Sequence, residues 1–162
     1  MELWKKETES GLLVRILYDD DSINPRTEYD HVGTLAIAPN RYFTGDDGAS
    51  LDVPAGAISV PVYAYIHGGI TLSDRPFSCP WDSGQIGVIY ATKEKLAEHG
   101  IDPARAESVL VNEISEYSAY IGGECYRYEV KDQHGEIVDS CGGFVGCLEY
   151  VIDTVESELK GF

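Results

Sequence analysis

The residues of this chain best suited to chemistry lie in one short stretch, Phe77–Tyr90, which reads FSCPWDSGQIGVIY. From Cys79 to Gly84 a thiol, a proline, an indole, a carboxylate, a hydroxyl and a glycine stand in six consecutive positions. A cysteine nucleophile needs a base within hydrogen-bond reach and donors for an oxyanion. His67 and Asp82 supply a base and an orienting group for Cys79, and Gly84 offers backbone N–H groups. Pro80 withdraws one N–H that an oxyanion would use. The same residues also make a packed corner. In that reading Phe77, Cys79 and Trp81 turn into the core, and Asp82 and Ser83 cap the turn before a strand at Ile86–Tyr90. The packed corner is the simpler expectation, because one thiol without placed partners is not a signature.

Metal chemistry has a second candidate. Asp19, Asp20 and Asp21, with Ser22 and Asn24 close by, offer several oxygens in one loop, as hard cations require. The order of an EF-hand loop and its final glutamate are missing. Asp46-Asp47 forms a further acidic pair. Turns that end strands and leave their charges in water explain both runs. The four cysteines, at 79, 125, 141 and 147, show no CxxC spacing and read as reduced thiols. The histidines at 31, 67, 99 and 134 form no HExxH pair, and Gly68-Gly69 and Gly142-Gly143 lack the lysine of a phosphate loop. No cofactor is expected.

The elements that position these residues follow from periodicity. Leu12–Tyr18 and Val32–Ala38 read as strands. Ile58, Val60, Val62, Ala64 and Ile66 alternate with Pro61, Tyr63 and Tyr65, giving a half-buried strand with an edge character at the proline. Thr92 caps a short helix, Lys93–His99, that Gly100 stops. Asp102-Pro103 starts a helix running to about Ile121, with Ala106, Leu110, Ile114, Tyr117 and Ile121 as one apolar stripe. Glu124–Ser140 reads as a hairpin turning near His134-Gly135, followed by a glycine-rich loop, CGGFVG. A last helix covers about 148–160. The fold expected is α+β: a single domain over residues 1–162, with a mainly antiparallel sheet and two or three helices, the longest about 103–121 and 148–160.

Charge bounds the partners. The chain has 162 residues, 28 Asp and Glu against 12 Lys and Arg, and a net charge of −16. Residues 1–50 carry 10 acids and 5 bases, residues 51–101 carry 5 and 3, and residues 102–162 carry 13 and 4. Such a charge opposes nucleic acid and anionic membrane surfaces, and it suits a basic protein. A solvated face, or a source with an acidic proteome, accounts for it equally simply. No run approaches the ~20 apolar residues that span a bilayer, and MELWKKETES lacks a signal-peptide core, so a soluble cytoplasmic protein is expected. On the last helix Glu149, Asp153 and Glu156 are spaced four and three, hence on one face. Successive carboxylates there rise by roughly 6 and 4.5 Å, near the spacing of phosphates along a strand. Glu113 and Glu116 form a similar pair on the preceding helix.

Three blocks together carry a resemblance. NPRTEYDHVGTLAIAPNRYFTGD, VPVYAYIHGGITLSDRPFSCPWDSGQIGVIYATKEKL and VLVNEISEYSAYIGGECYRYEVKDQHGEIVDSCGGFVG, spanning most of residues 24–146, resemble a family of small phage- and mobile-element-encoded proteins with PREWDNLG, FSCPWDSGQVG and DSCWGF blocks. This chain departs from them at Thr27–Tyr29, at Ala36–Pro39 in place of a Cys/His stretch, and at Gly142 in place of a tryptophan. The resemblance implies an accessory protein acting inside a host cell and transfers no catalytic residues. The function expected is a non-enzymatic interaction protein that meets a basic, nucleic-acid-binding host protein through Glu113, Glu116, Glu149, Asp153 and Glu156. A nucleic-acid mimic acting against restriction or CRISPR proteins is its sharpest form. The rival expectation is a small enzyme or ligand-binding protein whose Cys79–Asp82 and Cys141–Gly143 loops converge on a pocket. A virion or scaffold component, seen as a symmetric oligomer, is the third.

Overall fold

A computed structural model describes residues 1–161. Eight strands form two four-stranded antiparallel sheets, with four α-helices, so the fold is α+β. The chain divides into two compact units, each with its own sheet and core. One unit combines Met1–Ile23 with the segment from Gly123 onward; the other is Asn24–Gly122.

In the first unit the sheet order is β1 (Glu2–Glu7), β2 (Leu13–Tyr18), β7 (Cys125–Lys131), β8 (Ile137–Val145). Alternation along β2 buries Val14 and Ile16 with Tyr126, Tyr128 and Val130 of β7. Helix α4 (Leu148–Glu158) lays Val151 and Val155 on this layer, and its amphipathic spacing leaves the other face in water. Leu159 begins a short 3-10 turn that ends the helix earlier than its periodicity suggests. The β7–β8 turn is fixed by Asp132, whose carboxylate accepts from the N–H groups of His134 and Glu136.

The CGGFVG segment is not the loop expected from its glycines but the end of strand β8. Tyr126 pairs with Phe144 and Tyr128 with Cys141, so β8 carries an extra residue there. Gly143, at φ 83°, takes a conformation that side chains resist, and it lets the strand bulge without breaking the sheet.

The second unit orders β3 (Thr34–Ile37), β6 (Ser83–Ala91), β4 (Ile58–Ile66), β5 (Ile70–Ser73). The period-two residues Val60, Val62 and Ala64 are buried, as their spacing requires. Pro61 lies outside the Tyr63–Ile66 stretch that pairs with β5, on the part of β4 with one strand neighbour. Helix α3 (Ala106–Ile121) buries Ala106, Leu110, Ile114 and Tyr117 against this sheet. Asp102 accepts from Ala104 N–H, but residues Pro103–Arg105 are a 3-10 turn and the α-helix begins only at Ala106. Short helices α1 (Pro25–Glu28) and α2 (Lys93–Glu98) start at Asn24 and Thr92, whose side chains cap them. Among the described residues no helix is long and apolar enough to cross a membrane.

Candidate functional site

The Cys79–Asp82 corner is set by a bulge. Val62 pairs with Gly87 but Tyr63 with Gln85, so β6 gains a residue at Ile86 and its first turn of chain is re-aimed. The corner is closed by the Ser83 hydroxyl, which donates to the Cys79 carbonyl, and by Ile66 N–H, which donates to the Asp82 carbonyl. Tyr65 anchors it from beneath, its ring 5.6 Å from that of Phe77 and 6.2 Å from that of His67.

Cys79, His67 and Asp82 do meet. One carboxylate oxygen, Oδ2 of Asp82, lies 3.2 Å from His67 Nδ1 and 3.9 Å from Cys79 Sγ. The order is wrong for nucleophilic catalysis. A working thiol has the imidazole against its sulfur and the carboxylate behind the imidazole. Here the carboxylate stands between, and the atom facing sulfur is a carboxylate oxygen rather than a ring nitrogen. His67 is also 71% exposed, so no dry site forms around the group.

The packed-corner expectation fails at Trp81 and is only half met at Phe77 and Cys79, which are half-buried and belong to neither core. The Trp81 indole is 91% exposed, not turned into the core. With Tyr42 it walls a shallow concavity of about 330 Å³ floored by Ala64, Ile66 and Ile86 and rimmed by Asp82 and Gln85.

A larger, half-open concavity of about 760 Å³ lies elsewhere in the same unit, along the first resemblance block. Beneath it Arg26, 4% exposed, makes the densest polar cluster of the unit. Its guanidinium donates twice to Asp46, at 2.9 and 2.6 Å, once to Glu113 at 2.8 Å and once to the Gly33 carbonyl at 2.8 Å. Glu113 also accepts from Gly33 N–H and Asp46 from Leu35 N–H. A Cβ at Gly33 would stand 2.6 Å from the Leu110 side chain and 2.8 Å from that of Ile89, so any larger residue must displace both. Burial works to lower the Arg26 pKa, and the hydrogen bonds to Asp46 and Glu113 more than reverse it, holding the cation above its usual range. Burial raises the pKa of Tyr117, whose hydroxyl donates to the Thr44 carbonyl at 2.6 Å. The neighbouring Asn40 and Thr27 side chains are likewise spent on local backbone groups. The polar groups here fasten the chain to itself.

No family model, curated protein or solved structure matches this chain.

The five partner-surface carboxylates divide. Glu149 and Asp153 are exposed on α4, and among the described residues neither has a Lys or Arg within 4 Å. Glu156 is held by Lys6 at 2.6 Å. Glu116 is exposed, 3.6 Å from His31 Nε2. Glu113 leaves the set: it is the inner partner of Arg26 and its side chain is 12% exposed. The two helices belong to different units. Asp19 accepts from Gly143 N–H at 2.9 Å and pins the β8 bulge, while Asp20 and Asp21 are exposed. Among the described residues no three His, Cys, Asp or Glu side chains are placed to hold a metal ion. The Cys79–Asp82 and Cys141–Gly143 segments also lie in different units.

Arg26 was not singled out from the sequence, and Asp46 was noted only as half of an acidic pair. Twenty residues separate them, and Arg26 and Glu113 are 87 apart, so no local spacing betrays the cluster. The available signal was a lone arginine after Asn-Pro in an acidic chain, a base that burial must pair.

Proposed function

We propose that the chain is a small acidic interaction protein, without catalytic activity of its own, that engages a basic protein partner in the cytoplasm. The observation that carries this reading is where the excess charge resides. Nineteen of the 28 carboxylates are exposed, and among the described residues only Glu2 and Asp30 of those lie within 4 Å of a Lys or Arg. Both units share the excess, with 15 acids against 6 bases in the first and 13 against 6 in the second. Unpaired surface charge of one sign steers an oppositely charged partner and loses its reach beyond the Debye length, ~10 Å at 0.1 M salt. The resemblance to mobile-element proteins supports a nucleic-acid-binding host protein as the partner, with the carboxylates standing where phosphates otherwise bind.

The test is capture from host lysate on the immobilised chain at low salt, followed by elution with duplex DNA and, separately, with high salt. Basic nucleic-acid-binding proteins should be retained and released by both eluents. Retention of nothing basic, or retention that DNA and salt leave untouched, refutes the reading.

The contact of Cys79, Asp82 and His67 favours a second reading, a reactive or ligand-binding corner. It requires Cys79 to label with a thiol reagent much faster near neutral pH than exposed Cys141. Equal rates remove it.

A further inference from the structure

We propose that the concavity between Trp81 and Tyr42 grips an arginine side chain of the partner. This rests on the reading above and names the point of contact. Trp81, left 91% in water, is the largest exposed apolar side chain of its unit, and buried tryptophan and arginine dominate interface energetics. The concavity offers the three parts an arginine needs. Ala64, Ile66 and Ile86 make an apolar floor for the methylene stem. Trp81 and Tyr42 line it with aromatic rings, and an aromatic face attracts a planar cation. Asp82 stands at the rim, and among the described residues its Oδ1 accepts no hydrogen bond, because His67 and Cys79 both address Oδ2.

The protein already pairs an arginine with Tyr42, which leaves Trp81 as the ring for the incoming guanidinium. The Arg41 guanidinium sits 5.1 Å from the centroid of Tyr42 and donates to its hydroxyl at 2.9 Å. That unit carries 13 acids against 6 bases, so an incoming cation is favoured over a neutral or acidic segment. Arginine is selected over lysine by shape: a guanidinium stacks flat on indole and can reach a carboxylate edge at once, whereas an ammonium is a hydrated point charge.

The test measures binding of fluorescein-labelled nona-arginine and nona-lysine by anisotropy at low salt. The proteins are the full chain, Trp81→Ala, Asp82→Asn, and Glu136→Gln, an exposed acid with no assigned role, as a charge control in the other unit. Trp81→Ala should weaken nona-arginine about tenfold, the scale of a partly desolvated cation–π contact. Asp82→Asn should weaken it about threefold, on the scale of an exposed ion pair. Glu136→Gln should change it less than twofold, and nona-lysine should lose little on Trp81→Ala. Wild-type affinity in Trp81→Ala overturns the inference alone. So does an equal loss in Glu136→Gln, which would mean that spread charge does the binding, or an equal loss for nona-lysine. Failure of the wild-type chain to bind either peptide overturns the acidic-interaction reading together with it. Circular dichroism and urea unfolding of Trp81→Ala should match wild type, since the indole covers little.

Discussion

Removing the Asp46 carboxylate should be among the most damaging single changes in the Asn24–Gly122 unit, and the structure sets how damaging. Arg26 is almost fully enclosed, with two carboxylates and one carbonyl around it. Asp46→Ala strips the two-pronged partner and orphans Leu35 N–H. Breaking a buried ion pair from one side costs about 3–5 kcal/mol, and an unpaired buried N–H adds to it, so about 4 kcal/mol is the expected loss. Asp46→Asn keeps an oxygen for Leu35 N–H and leaves Arg26 balanced by Glu113, so its cost should be about half, roughly 2 kcal/mol. Glu113→Gln leaves the two-pronged Arg26–Asp46 pair whole and can still accept from Gly33 N–H, which predicts about 1 kcal/mol. Urea unfolding followed by far-ultraviolet circular dichroism measures all three. The order Ala, Asn, Gln is the content of the prediction. A loss under about 1 kcal/mol for Asp46→Ala, or a larger loss for Glu113→Gln than for Asp46→Asn, would refute the assignment of Arg26 as the fastening point.

Two pH effects follow from the other unit. Glu129, buried in β7, accepts from Arg15 at 2.6 Å and Arg127 at 2.5 Å, and the Arg15 hydrogen bond leads in holding its carboxyl below the usual range. Its contribution is therefore present above the unfolded carboxylate pKa and disappears as pH falls through the lowered folded value, so Glu129→Gln should flatten the acid limb of a stability-against-pH curve. Tyr128 is pushed up to about 12 by burial first and by Asp139 beside it. Stability from this group is complete below the unfolded tyrosine pKa near 10 and is lost as pH rises toward 12, and Tyr128→Phe should reduce that alkaline loss in thermal melts.

Local order was legible where one residue type forces one conformation. The alternation from Ile58 to Ile66 and the stripe from Ala106 to Tyr117 became the inward faces of β4 and α3. The caps at Thr92 and Asp102 were readable because a side-chain oxygen must meet an N–H a few residues on. Strand β1, ELWKKE, was not legible: an edge strand carries charges on both faces and shows no clean alternation. Gly142-Gly143 misled because glycine marks both loops and bulges, and only the partner strand tells them apart. At the site, sequence could gather Cys79, His67 and Asp82 as candidates but could not order them. Which atom faces the sulfur is decided by the register of β4 on β6.

Paired neighbours β2 and β7 are interrupted in the chain by the whole of the Asn24–Gly122 unit. The central β2–β7 pairing of the outer unit's sheet thus cannot be zipped from a local hairpin. Closing a connection of about 100 residues instead of about four costs roughly 3 kcal/mol more in chain entropy. During synthesis the leading β1–β2 ribbon must wait, with its β2 edge unmatched, until residue 131 has emerged. The insert has no such delay, since its sheet and core draw only on its own contiguous residues. Assembly therefore runs from the inside of the sequence outward, and a stalled or truncated chain would display β2 as an adhesive margin.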